Sequence, residues 1–187
     1  MYEVEVKVPA EREPVRSRLE ELGSERRGTV VQRDTYYDAP HRSFAETDEA
    51  LRVRSERPTD GDETVRLTYK GPLVDDESKT RAEVETGVAD GRKMATILSN
   101  LGFEAVATVR KERDRFRLAN AASGPGEYTV TLDAVDDVGE FVEVEAEIES
   151  ERELDSARDG AYDVLERIGL DPDDQIRTSY LELLLES

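Results

Sequence analysis

The sequence predicts an α+β domain of about eight mostly antiparallel strands, with three or four helices packed outside them. Three observations predict it: charged residues recur at every second position in several segments, other segments carry helical apolar spacing, and turn residues separate them. The strand pattern is clearest at the start, where Glu3, Glu5 and Lys7 share one face and Val4, Val6 and Val8 the other. The same spacing groups Arg52 with Arg54, Arg81 with Glu83 and Glu85, Lys111 with Arg113, and Glu143 with Glu145 and Glu147. One strand with a mixed polar face is ordinary, because an antiparallel sheet commonly shows one face to water. Several strands with charges of both signs need a common place for them. A small barrel is normally filled with apolar side chains. Here the charged faces fit the interior and the apolar faces fit packing against helices. Such an interior suits a multiply charged anion held through cations and metal ions, since an unpaired buried ion costs several kcal/mol.

Taken in order, residues 2–9 read as a strand ended by Pro9. Val15, Leu19 and Leu22 give 11–22 a helical face, with Pro14 near its first turn and Gly23 as a stop. Residues 26–38 are β-rich, and Ala39-Pro40 breaks them. Strands at 49–56 and 63–70 are joined by a hairpin turn at Pro58-Thr-Asp-Gly61, and 80–87 is a further strand. Asp90 caps a helix to about Asn100 whose apolar face carries Met94, Ile97, Leu98 and Leu101. A long strand at 103–118 follows, then the Ser123-Gly-Pro-Gly126 turn, and strands at 127–135 and 140–149 around Asp136-Asp137-Val-Gly139. Leu154, Ala157, Ala161, Val164, Leu165 and Ile168 mark a helix over roughly 151–167, and a short helix closes the chain from about Ser179. No linker separates two halves, so 1–187 reads as one domain.

Composition narrows the function. The absence of cysteine excludes disulfides, thiolate catalysis and cysteine-ligated metal sites, and a single histidine excludes a histidine-rich one. The net charge of −19 argues against a nucleic-acid partner, whose phosphates favour basic faces. No apolar run reaches the roughly 20 residues of a membrane span, so a cytoplasmic protein without a membrane partner is expected. Acidity with lysine nearly absent suggests a halophilic protein, in which salt screens self-repulsion. Lysine occurs only at Lys7, Lys70, Lys79, Lys93 and Lys111, and Lys7, Lys70 and Lys111 lie within strand patterns.

Glu3-x-Glu5-x-Lys7 resembles the motif that defines the CYTH superfamily of class IV adenylate cyclases, thiamine triphosphatases and other triphosphate tunnel enzymes. The resemblance extends through Gln32-Arg-Asp-Thr-Tyr-Tyr-Asp38, Ala50-Leu-Arg-Val-Arg54, Arg81-Ala-Glu-Val-Glu85, Val109-Arg-Lys-Glu-Arg113, Leu132-Asp-Ala-Val135 and Ser179-Tyr-Leu-Glu-Leu-Leu184. Leu67-Thr-Tyr-Lys-Gly-Pro72 and Gly139-Glu-Phe-Val-Glu-Val-Glu145 look most like the cyclase subgroup. One departure is that Met1 and Tyr2 stand where cyclases of this class often carry His-Phe.

The resemblance implies an eight-stranded antiparallel β tunnel that binds ATP or another triphosphate with Mg²⁺ or Mn²⁺. Residue by residue it implies phosphate binding by Lys7, Arg52, Arg54, Lys70, Arg81, Lys111 and Arg113, with Lys7, Lys111 and Arg113 also assigned to catalysis. Glu3, Glu5, Asp133, Glu143 and Glu145 are the expected metal carboxylates. Cyclisation to 3′,5′-cyclic AMP, hydrolysis of a triphosphate, and non-catalytic polyphosphate binding all fit these residues, and a homodimer is compatible with them. His41 reads as a solvent-exposed loop residue, Tyr36 and Tyr37 as one core and one tunnel-rim residue, and Met94 and Leu98 as core.

Overall fold

The computed structural model describes residues 1–119 and 123–187. Alternating sequence becomes alternating burial: β1 (Tyr2–Pro9) buries Val4, Val6 and Val8 on its outer side and turns Glu5 and Lys7 inward. The other strands are β2 (Glu25–Asp38), β3 (Ala50–Pro58), β4 (Thr64–Leu73), β5 (Arg81–Val88), β6 (Glu104–Ala119), β7 (Glu127–Val135) and β8 (Gly139–Ile148). They close into a barrel in the order β1-β5-β4-β3-β2-β6-β7-β8, every neighbour antiparallel.

The helices are α1 (Arg12–Glu21), α2 (Phe44–Thr47), α3 (Gly91–Asn100), α4 (Leu154–Arg167) and α5 (Tyr180–Glu186). Val15 and Leu19 of α1, and Ala161, Val164 and Leu165 of α4, pack on Val6, Val8, Val130, Leu132, Val142 and Val144 outside the barrel. On the other side, Leu98 of α3 packs with Tyr37, Phe44, Leu51 and Val53, and Met94 is half-buried against them. The expected apolar face of this helix is narrower than its periodicity suggests. Ile97 and Leu101 are exposed, because the curved barrel wall meets α3 along a stripe that Leu98 fills. Tyr37 is core, Tyr36 lines the interior, and His41 is exposed.

One seam is short. β1 and β5 are in register only at Tyr2↔Ala82 and Glu3↔Arg81, which would leave the inner half of β1 as an open edge. Two irregular segments cover it. The Lys79 amide donates to the Glu5 carbonyl at 3.0 Å, and the Ile176 amide donates to the Lys7 carbonyl at 2.8 Å.

Beside this seam, α4 meets the barrel through Gly160, whose missing side chain leaves room for the fully buried Tyr128. The Tyr128 hydroxyl donates to the Ala157 carbonyl at 2.9 Å. A Cβ at Gly160 would overlap both that hydroxyl and the Ser123 carbonyl. Gly160→Ala should therefore lower the melting temperature, the steric cost of roughly 1–3 kcal/mol exceeding the gain in helix propensity of about 0.5–1 kcal/mol.

Burial, with Asp163 and Asp159 adding, pushes the Tyr128 hydroxyl up to about 12 from its ordinary 10.0. The neutral form is the one the fold holds, so its contribution is complete below pH 10 and disappears as pH rises from about 10 to about 12. Denaturant unfolding across that range should show the stability difference between wild type and Tyr128→Phe shrinking with pH.

Candidate active site

Period-two alternation turns one charged face of each strand into the barrel, where a cavity of about 510 Å³ is lined by Glu3, Glu5, Lys7, Arg52, Arg54, Lys70, Arg81, Lys111, Arg113, Glu143 and Glu145, among others. Register then sets which charges meet. Lys7 stands opposite Glu143 and Glu5 opposite Glu145 across β1–β8, while Arg113 stands opposite Asp133 across β6–β7.

Asp133 is fully buried and saturated by protein donors. Arg113 donates to it through Nε at 2.7 Å and a terminal nitrogen at 2.6 Å, Lys111 at 3.2 Å, and the Tyr180 hydroxyl at 2.9 Å. Arg113 also pairs with Glu143, and with Glu145 at 3.0 Å. Arg54 makes a bidentate pair with buried Asp34 at 2.7 and 2.6 Å, and Arg52 reaches the same carboxylate at 3.5 Å. Lys70 lies between Glu3 at 2.5 Å and Glu83 at 2.8 Å. Lys7 donates to the Thr178 carbonyl at 3.0 Å and stands 3.6 Å from both Glu5 and Glu143. Arg81 donates to the Asp48 carboxylate and to the carbonyls of Asp48 and Gly71, so on the tunnel wall it also holds two connecting segments.

The carboxylates divide into two sets. Oxygens of Glu5, Glu143 and Glu145 lie within 4.8 Å of one another. Glu5 Oε1 is buried without a hydrogen-bond partner, which leaves a lone pair for a cation. Three hard oxygen donors suit a small divalent ion such as Mg²⁺ or Mn²⁺. Glu3 and Asp133, expected with them, lie outside this group. Register sets Glu3 opposite Arg81 and Glu147, and its carboxylate pairs with Lys70 from across β5, while Asp133 has its donors within the fold.

Electrostatics follows that division. Burial opposes ionisation of Glu143, but Arg113, Lys111 and Lys7 hold its carboxyl well below the usual range. Burial, with the charges of Glu3 and Glu143 added, pushes Glu145 up to about 8 despite Arg113. Glu83 rises to about 7 through burial and the nearby Glu3 charge. Among the cations, burial and Arg113 lower Lys111 to about 8, and burial with Lys7 lowers Lys79 to about 7.

Among the lining residues to which sequence reasoning gave no role are Asp34, Lys79, Glu83 and Tyr180. Lysine scarcity was a signal for Lys79, which falls outside any strand pattern. Glu83 shared a face with Arg81 and Glu85 without being assigned a role. The lysine ammonium groups of Lys7 and Lys111 lie 4.1 and 4.7 Å from the centroid of the Tyr180 ring.

A closed antiparallel barrel whose cavity interleaves basic side chains from β1, β3, β4, β5 and β6 with at least as many carboxylates is a tunnel lined by charges of both signs. This chain belongs to the CYTH domain family, which matches residues 1–180. A Methanocaldococcus jannaschii protein named as a putative adenylate cyclase is 37% identical over 184 residues, covering 98% of both chains. Adenylate cyclase CyaB of Aeromonas hydrophila is 27% identical over 157 residues, 83% of this chain and 73% of that one. The solved structure of the PH1819 protein from Pyrococcus horikoshii superposes with a TM-score of 0.88 at 37% identity, covering 98% of each chain.

The Asp34 pairing makes a prediction. Asp34→Asn leaves two inward guanidinium groups short of a counter-charge, a loss of up to about 3–5 kcal/mol. The melting temperature should fall. Inorganic triphosphate should then raise it by more than in wild type, because the anion supplies the missing charge; equal shifts in the two proteins would place Arg52 and Arg54 outside the anion's reach.

Proposed function

We propose that the tunnel binds ATP and converts it to 3′,5′-cyclic AMP and pyrophosphate. Lys7, Arg52, Arg54, Lys70, Lys111 and Arg113 converge on one cavity and can share the roughly four negative charges of a triphosphate, through the guanidinium N–H groups that the internal carboxylates leave free and the ammonium groups as point charges. Glu5, Glu143 and Glu145 would hold the Mg²⁺ or Mn²⁺. When bound, that ion supplies neutralisation of charge on phosphate oxygens. In the reaction the ribose 3′-oxygen bonds to the α-phosphorus, the α–β phosphoanhydride bond breaks, the hydroxyl proton passes to solvent, and pyrophosphate leaves. Arg113 is central to this reading, since it is fixed by Asp133, Glu143 and Glu145 before any substrate arrives and needs little reorganisation as charge develops.

The observation that carries the binding chemistry is the unbonded Glu5 Oε1 beside Glu143 and Glu145, within a ring of cations. The names of the Methanocaldococcus and Aeromonas relatives support cyclisation over hydrolysis.

The test is to incubate purified protein with ATP, thiamine triphosphate and inorganic triphosphate, each with Mg²⁺ or Mn²⁺, in dilute buffer and in molar salt, and to resolve the products by chromatography. Cyclic AMP with pyrophosphate is expected from ATP, with none in chelator. Glu5→Gln should lower the rate by about a hundredfold or more, and Lys111→Ala or Arg113→Ala by about ten- to a hundredfold. ADP and orthophosphate as the only products would assign the tunnel to triphosphate hydrolysis, with the same cations attending a different phosphorus. Tight binding without turnover would make it a binding module.

A further inference from the structure

Lys79 is the tunnel cation that no strand carries. It sits in the segment 74–80 between β4 and β5, at the place where β5 fails to continue along β1. That segment is built rather than loose. The Asp75 carboxylate accepts from the Ser78 amide at 2.8 Å and hydroxyl at 2.5 Å, and from Arg158 of α4 at 3.1 Å. Arg177 donates to the Asp75 carbonyl at 2.8 Å. Tyr162 of α4 and Gln175 both donate to the Glu77 carbonyl at 3.0 Å. The hydroxyls of Ser78 and Thr80, both fully buried, lie 2.7 Å apart. Contacts from α4 and from the C-terminal segment thus fix the strap on its outer side, while the Lys79 amide fixes it to the Glu5 carbonyl on the inner side. The outcome is that the Lys79 side chain lines the cavity with only 12% of it exposed.

Its charge is the least matched of the inward cations. Lys70, Arg54 and Arg113 each have carboxylate oxygens within 2.8 Å, Lys111 has Asp133 at 3.2 Å, and Lys7 has a carbonyl at 3.0 Å. Among the described residues the ion pair of Lys79 is with Glu5 Oε1 at 3.8 Å, beyond hydrogen-bond reach. That same oxygen is the buried one without a hydrogen-bond partner. The Lys7 ammonium stands 3.6 Å from that oxygen as well, so Glu5 does not engage the Lys79 donors, and a buried ammonium that lines the cavity keeps them for an anionic oxygen from another group.

We propose that Lys79 is a further substrate-binding residue, delivered through the barrel seam by the 74–80 strap to contact the phosphate chain of a triphosphate on the Glu5 side of the tunnel. The proposal rests on the triphosphate reading of the preceding section. An ammonium of this kind is a point-charge contact, so a guanidinium can replace it in part and a neutral side chain cannot.

The experiment measures inorganic triphosphate binding by calorimetry in chelator, so that neither metal nor turnover contributes, for wild type, Lys79→Ala, Lys79→Gln, Lys79→Arg and Lys70→Ala. Lys79→Ala and Lys79→Gln should weaken binding about ten- to a hundredfold, Lys79→Arg by less, and the melting temperatures without anion should stay close to wild type. Binding within twofold of wild type in both neutral variants, with Lys70→Ala impaired, would overturn the role of Lys79 and leave the triphosphate site standing. Weakened binding that scales with lost melting temperature in both, or is no better in Lys79→Arg, would reduce Lys79 to a structural residue of the strap. No binding of triphosphate by wild type would overturn the reading on which the proposal rests.

Discussion

Charges of both signs inside a closed barrel must be matched, and most of this structure serves that requirement. Removing an ion from water costs several kcal/mol unless a counter-charge and hydrogen bonds offset it. The strands answer with pairs fixed by register, Arg54 with Asp34, Arg113 with Asp133 and Lys70 with Glu83, and Glu3 reaches the same lysine from across β5. The valines that alternate with these charges in β1 and β8 cannot also face inward, so they require cover outside. Helices α1 and α4 provide it. The polar interior and the helical coat are therefore two consequences of one alternating pattern.

Matching also divides the labour among the acids. Asp34 and Asp133 act as internal counter-ions that hold cations in place in the absence of any ligand. Glu5, Glu143 and Glu145 stand nearer to one another than like charges prefer, and burial with neighbouring negative charge keeps Glu145 protonated to about 8. Crowded acids of this kind are stabilised by an added cation, and crowded cations by an added anion. The same tunnel holds both deficits side by side, as Glu5 and Lys79 illustrate.

Much of this was legible in the sequence, because period-two spacing is local. The limits of β1 and β7 follow from the pattern alone, and so does the inward direction of Lys7, Arg54, Arg113 and Glu145. What stayed hidden depends on register or on segments without periodicity. Asp34 is one charge in Gln32-Arg-Asp-Thr until β2–β3 pairing sets it opposite Arg54. Asp133 and Glu3 carry the right chemistry for a metal, and only the folded chain shows that Arg113 and Lys70 are paired with them. Helix α2 is only four residues long and too short to show a period. Lys79 lies in a strap whose course is set by α4 and the C-terminal segment, far away in sequence.

The C-terminal segment shows how closure of the fold and completion of the site become one event. Ile176 takes the free carbonyl of Lys7 on the β1 edge, and two residues later the Thr178 carbonyl accepts from the same lysine's ammonium. A capping box between Ser179 and Glu182 then starts α5 and turns Tyr180 inward. Its ring packs 5.1 Å from that of Phe141, in a cluster with Val109 and Val135. By strand alternation these three residues lie two positions from Glu143, Lys111 and Asp133 on the same inward face. The hydroxyl of Tyr180 donates to Asp133, the carboxylate that also orients Lys111 and Arg113. One buried aspartate thus registers the tail against the barrel and aims two cations into the tunnel, so an unseated tail would leave the Lys7 carbonyl on the β1 edge unpaired and Asp133 short of a donor together.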